Sequence, residues 1–261
     1  MLFLTNHLWL SGLLFLGATT LIAMAGPVIV RRQMSLERLI ANNEVAGFKF
    51  AVIGVLYAVL LAFAVIVVWE KFNDAEKEIA QEAGAAATIY RLSEETGAAP
   101  RTAIREVITN YLKTAIAEDW PAMEQGRISP RVTHALNDAY TTVARFNPSD
   151  RREAVLLAEM LHQLDVIAQA RRARYVMASG NVPEVIWLGL FGGAAITIGF
   201  TFFFGTENLR AQIAMTGALS VLTFSALLII IAIDYPFAGN VKVPPEALSS
   251  VLEEFGGASK Q

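Results

Sequence analysis

The sequence predicts an all-α integral membrane protein with four transmembrane helices and a helical extramembrane domain between spans two and three. Three observations predict it. Four apolar stretches, approximately 8–30, 47–69, 183–204 and 211–233, each supply the roughly 20 apolar residues that a ~30 Å hydrocarbon core demands. Most of the charge is confined to residues 71–174, and the spans carry almost none. Between spans two and three the chain shows helical periodicity and helix-start signals with no period-2 strand pattern. The division that follows is a transmembrane hairpin over 1–70, a helical domain over 71–182, a second hairpin over 183–235 and a tail over 236–261.

Composition narrows the function classes. With 54% hydrophobic and 17% charged residues and a mean hydropathy of +0.45, the chain is too apolar for an ordinary soluble domain. The net charge of −3 is accompanied by no basic cluster of the kind that binds nucleic acid. There is no cysteine, hence no disulfide, thiolate chemistry or cysteine-ligated metal. Span one has a small-x-small site at Ala23-Met24-Ala25, but its apolar run is too long for a signal peptide and no Lys or Arg precedes it, so it is expected to stay.

The elements follow in order. No proline interrupts residues 48–95, and strong helix formers continue past the membrane through Glu70-Lys71-Phe72 to the alanine-rich stretch 83–87, so span two is expected to run into the domain as one rod. Gly97-Ala98-Ala99-Pro100 ends it, and Pro100 suits the first turn of a helix over about 100–119 that meets Trp120-Pro121. Ser129-Pro130 and Asn147-Pro148-Ser149-Asp150 open two further helices. The last carries Leu157, Leu161, Leu164 and Ala168 as its expected buried stripe, and Gly180-Asn181-Val182-Pro183 stops it. In the tail, Leu248, Val251, Leu252 and Phe255 mark a short amphipathic helix suited to docking.

Charge at the membrane argues against pumps and voltage sensors. No Asp, Glu, Lys, Arg or His occupies a span centre, where proton relays and gating charges would need one. Lys49, Glu70 and Asp234 sit at span ends; an acid at such a boundary either anchors the helix at the interface or lines an ion vestibule. Arg31, Arg32, Arg38 and Lys49 flank the first connection and Arg210 the one between spans three and four, so the positive-inside rule puts these in the cytoplasm and residues 71–182 outside. Lys71, Lys77, Arg171, Arg172 and Arg174 oppose that reading.

Two spans carry small-residue stripes, Gly54, Ala58 and Ala62 in span two and Gly189 and Gly193 in span three, a spacing that lets helices approach closely within a subunit or between subunits. The opposite face of span two holds Ile53, Leu56, Leu60, Phe63 and Val67, which either meet lipid or form an apolar, dewetting constriction. Enzyme chemistry has no footing: His7, His134 and His162 are scattered, and no metal-binding spacing, nucleophile elbow or phosphate loop is present. The acidic pairs Glu94-Glu95, Glu118-Asp119 and Glu253-Glu254 read as solvated helix faces. No catalytic residue, metal or cofactor is expected.

Several segments, in order over nearly the whole chain, carry a resemblance. They are Ala46-Gly47-Phe48, Gly54-Val55-Leu56-Tyr57-Ala58-Val59-Leu60-Leu61-Ala62-Phe63 and Val68-Trp69-Glu70, then Gln81-Glu82-Ala83, Trp120-Pro121-x-Met123, Arg171-Arg172-x-Arg174, Pro183-x-x-x-Trp187 and Pro236-Phe237-x-Gly239. With them the chain resembles the bacterial bestrophin-like membrane protein family, catalogued as a numbered domain of unknown function, and more remotely the bestrophin anion channels. The resemblance implies a pentameric, passive, anion-selective channel of the bacterial inner membrane, its pore lined by span two and its domain in the cytoplasm, against the charge rule. No acidic calcium clasp is present, so calcium gating is not implied. Expected partners are the bilayer, further copies of the chain and small permeant ions. The competing reading is a membrane-anchored scaffold whose helical domain binds a partner and whose spans conduct nothing.

Overall fold

A computed structural model describes residues 8–180 and 182–258, the side chains from residue 10 to residue 257. His7 and Asn181 lie outside the described residues. Among those described, every regular element is a helix: α1 (Leu8–Gln33), α2 (Leu36–Ala41), α3 (Asn43–Leu92), α4 (Ala98–Thr114), α5 (Trp120–Met123), α6 (Pro130–Ala144), α7 (Arg151–Ala178), α8 (Glu184–Thr201), α9 (Leu209–Ile233) and α10 (Glu246–Ala258). Four of them, α1, α3, α8 and α9, are long and apolar enough to cross a membrane. The chain is therefore an all-α membrane protein, and it divides into two compact units, one of residues 1–70 and 181–234, the other of 71–180 and 235–261.

In the spanning unit α3 packs one face, Tyr57, Ala64 and Val68, against Trp187, Leu190 and Ala194 of α8 and Leu227, Ile230 and Ile231 of α9. Gly193 makes that contact possible. A Cβ placed there would stand 2.5 Å from the Tyr57 ring, so only glycine lets the two backbones close around the tyrosine. Four residues earlier, Gly189 lies against the Leu60 side chain. At the end of the unit where the short connections lie, the Asn43 side chain donates to the Gly205 carbonyl at 2.7 Å and accepts from its N–H at 2.8 Å. Arg31 Nη1 donates to the Thr206 carbonyl at 2.7 Å. Gly205 is required by proximity too, since a Cβ there would meet the Ile40 backbone nitrogen at 2.5 Å.

The other unit has one core, in which Ile79, Ala86 and Ile89 of α3 meet Ile104, Ile108 and Leu112 of α4, Val132 and Ala139 of α6 and Met160, Leu164 and Ile167 of α7. The alanine-rich stretch of α3 explains itself here: Ala83, Ala85, Ala86 and Ala87 are all buried and admit neighbouring helices closely. Two elements differ from the sequence-based reading. The helix beginning at Ala98 does not stop at Trp120-Pro121 but widens into a π-helical turn, Ala115–Asp119, and continues into α5, with Pro121 tolerated because it falls in the first turn of that segment. The buried face of α7 is Met160, Leu164, Ile167, Ala170, Arg174 and Met177, displaced from the leucine stripe because it includes a charged residue that a hydrophobicity pattern rejects. The tail completes the core: Phe255 of α10 stacks on the Tyr90 ring at 3.7 Å, while the Arg105 guanidinium lies 4.2 Å from the same ring. Arg91 closes the edge on Glu254 at 2.9 Å.

Candidate functional site

The first candidate region is α3 between Lys49 and Glu70. Its 3.6-residue turn sorts side chains into three faces. Tyr57, Ala64 and Val68 form the packed one, with Ile53, Gly54, Leu60 and Leu61 half-buried on its flanks. On one side Ala58 and Ala62 are exposed, and a Cβ at Gly54 would meet nothing within 4 Å, so this small-residue ridge is unused inside the unit. On the other side Leu56 is 67% and Phe63 64% exposed, and Val67 is exposed as well. The five residues predicted as a pore face are thus not equivalent. Leu56, Phe63 and Val67 stand open, Ile53 is intermediate, and Leu60 leans on Gly189 of α8.

The three span-end residues also part company. Lys49 and Glu70 are exposed. Asp234 is 2% exposed, caps the end of α9, and accepts a hydrogen bond from the Val182 N–H at 2.9 Å, so it ties the chain entering α8 to the end of α9. Among the described residues no group of acids, histidines or cysteines has the arrangement of a metal site.

The second region lies within the extramembrane unit and was missed as a site. Arg174 is fully buried and donates from Nε and Nη2 to Glu82 of α3 at 2.7 and 2.9 Å. Glu82, also fully buried, accepts a third bond from the Tyr111 hydroxyl at 2.6 Å. Asp119, in the π-helical turn, stands 3.6 Å from Arg174 and receives Arg171 through two bonds at 2.7 and 3.1 Å. Arg171 continues to the Ser129 carbonyl, and Trp120 lies under the Arg174 guanidinium at 4.7 Å. Asp119 therefore does not solvate a face as its acidic neighbour Glu118 suggested; the wider π turn carries it inward.

Electrostatics of the cluster follow from that geometry. Burial opposes the charge on Arg174, but Glu82, Tyr111 and Asp119 outweigh it and hold the guanidinium above its ordinary pKa. Burial and the Glu82 carboxylate push the Tyr111 hydroxyl well above the usual phenol range, so it remains a donor. Two opposite pairs with all oxygens engaged satisfy the condition under which buried charges are tolerable. The residues involved, Glu82, Trp120, Met123, Arg171 and Arg174, are those of three separate motif segments of the sequence, and Met123 Sδ sits 3.8 Å from Arg174 Nη1. The Pro236-Phe237 segment joins them, with Phe237 edge-on to Trp120 at 6.3 Å.

Comparison with known proteins bears on both regions. No curated protein matches the sequence. Among solved structures, a bacterial bestrophin homolog from Klebsiella pneumoniae bearing a tryptophan-to-alanine mutation is similar at a TM-score of 0.73 and 15% identity, covering 95% of this chain and 98% of that one. The same homolog bearing a leucine-to-threonine mutation gives 0.71 and 14%, over 94% and 99%. Its Zn-SAD structure gives 0.69 and 15%, over 93% and 98%. At these identities the likeness establishes the fold. In sequence, the Bestrophin-like domain matches residues 13–248, and the chain belongs to the Bestrophin-like family.

Proposed function

We propose that this protein is the subunit of a passive, pentameric, anion-selective ion channel of the bacterial inner membrane, with α3 around the axis. The observation that carries the reading is the three-faced character of α3. One face is occupied by α8 and α9, a second offers small residues for a neighbouring backbone, and a third presents the exposed side chains Leu56, Phe63 and Val67. Small ridges favour helix contacts between subunits, and a ring of large apolar side chains is a hydrophobic constriction of the dewetting type. No Asp, Glu, Lys, Arg or His sits at a span centre, which suits a passive path rather than a pump.

Reconstitution into liposomes tests it. Halide efflux is expected from the unmodified protein and a several-fold increase from Phe63→Ala, because a smaller ring of side chains wets the constriction. Native mass measurement in mild detergent is expected to give a pentamer. Monomers alone, or no flux from either protein, would leave the scaffold reading in its place. Sidedness has two opposed grounds, the Arg31, Arg32, Arg38 and Lys49 cluster and the bestrophin resemblance. Gln125→Cys, in a chain with no other cysteine, separates them. Labelling by an impermeant thiol reagent on spheroplasts puts the domain outside, and protection puts it in the cytoplasm.

A further inference from the structure

Between α6, α7 and the turn that follows α5, the extramembrane unit holds a cleft of about 380 Å³ that the buried charge cluster only borders. Small-molecule sites run from roughly 300 to 1,000 Å³, so the cleft is large enough to be one. Local structure fixes the residues around it. The Arg127 N–H bonds to the Ala122 carbonyl and the Gly126 N–H to the Met123 carbonyl, both at 2.9 Å, with Gly126 at a φ of 66°. This is a Schellman closure, so Arg127 and Ile128 leave α5 in a set direction. On α7, Arg171 is clamped by Asp119 and donates from Nη1 to the Thr133 hydroxyl of α6 at 3.1 Å.

The lining is unequally charged. It carries Arg127, Arg171 and Arg172 against one acid, Asp119, an excess of two positive charges. Asp119 is taken by Arg171 and stands 3.6 Å from Arg174. Acids nearby in the chain have other partners: Glu118 meets Arg131, Glu124 meets Lys242, and Asp165 accepts from the Tyr140 hydroxyl. Among the described residues no carboxylate lies within ion-pair distance of Arg127 or Arg172, and the Arg127 side chain bonds to the neutral Gln125 amide. Toward α3, Arg172 borders a groove with Lys71, Asp74, Lys77 and Glu78, in which Lys77 holds Asp74 at 3.3 Å and Lys71 adds positive charge.

The rest of the lining includes apolar surface, from the buried Leu136, the half-buried Ala168 and Ile128, which is 44% exposed. A guanidinium fork matches a carboxylate with two parallel bonds. A carbon chain beside those forks gains by covering apolar side chains. We propose that this cleft is a binding site for a small organic dicarboxylate, with Arg127 and Arg172 holding its two ends. The site belongs to the extramembrane unit and stands whether or not the oligomer conducts.

Isothermal titration of the full chain in non-ionic detergent reads the site, with malonate, succinate, glutarate and inorganic phosphate as probes. Saturable binding of at least one dicarboxylate is expected, with a matching rise in Tm; no binding at millimolar concentration overturns the proposal. Arg127→Gln and Arg172→Gln are each expected to weaken that binding by about 10-fold or more. Arg131→Gln removes an equal charge outside the cleft and is expected to change it by less than about two-fold. An equal loss in all three variants would mean a diffuse field with no site. Both cleft variants are expected to keep the Tm and oligomer mass of the unmodified protein when no probe is present. An oligomer that dissociates in both would assign these arginines to a contact between subunits and overturn the proposal. Phosphate bound as tightly as the best dicarboxylate would show that the carbon chain contributes nothing, and would overturn the assigned class.

Discussion

In the extramembrane unit, Glu82, Asp119, Arg171 and Arg174 sit among apolar neighbours with each charge met by an opposite one and its remaining lone pairs engaged. The spanning unit holds no Asp, Glu, Lys, Arg or His at a span centre; among its described residues the buried polar side chains are Thr197, Gln212, Thr216, Ser220 and Thr223 within the spans and Asp234 at the end of α9. The difference teaches where each unit draws its specificity. The helical unit holds strong buried charges because full pairing and hydrogen bonding in the folded state offset the cost of taking those charges out of water. A bilayer unit cannot afford that and relies on glycine-mediated fit, as at Gly193 and Gly205.

The largest expected effect breaks the charged side of this comparison. Arg174→Ala leaves Glu82 buried and uncompensated, and a loss of about 3–5 kcal/mol in unfolding free energy is expected from denaturant titration. The double variant Arg174→Met, Glu82→Leu is expected to recover most of that, since apolar replacements of a buried pair are often neutral. A double variant as weak as the single one would show that the cluster itself, rather than the orphaned carboxylate, stabilises the unit.

Next in size is the tail. Phe255→Ala removes the ring stacked on Tyr90, and hydrogen exchange in α10 is expected to quicken by about 100-fold, equivalent to about 3 kcal/mol of local opening. The remaining helices of the unit should keep their protection. In the spanning unit, Gly193→Ala drives a methyl into the Tyr57 ring and is expected to cost about 1–3 kcal/mol, read as a lower Tm. Gly54→Ala, whose Cβ meets nothing within the subunit, should leave a monomeric fold unaffected; a lower oligomer Tm from it would place a neighbouring helix on that ridge.

The smallest effect is electrostatic. Burial, with Asp74 and Glu82 nearby, raises the Glu78 pKa above its ordinary value. A carboxyl whose pKa is raised on folding favours the fold when protonated, and that contribution is lost as pH climbs through the raised pKa. Glu78→Gln is therefore expected to raise Tm slightly at about pH 7, and the gain is expected to shrink as pH falls below the ordinary carboxyl range and the native side chain is protonated. An equal gain at neutral and acid pH would mean that packing, not charge, is responsible.

Much of this architecture was legible in the chain, for a physical reason. A helix that crosses hydrocarbon must be long and apolar, so four spans could be counted without knowing any contact. Proline-free helix formers across residues 48–95 announced a continuous α3, and the spacing of Leu248 and Phe255 announced an amphipathic docking helix. Which neighbours the small residues serve was not legible. Gly193 receives a tyrosine while Ala58 and Ala62 are exposed, and spacing alone treats these positions alike.

The buried cluster lay furthest from sequence reasoning. Glu82, Asp119 and Arg174 are separated by 37 and 55 positions along the chain, and each looks like a solvated charge until tertiary packing brings α3, the π turn and α7 together. The sequence by itself determined the solvent, the helix count and the membrane-excluded charges, because those are local properties of hydropathy and propensity. Only the tertiary structure decided which face of α3 is packed and which charges are buried. Those depend on partners distant in sequence, whose identity no local pattern encodes.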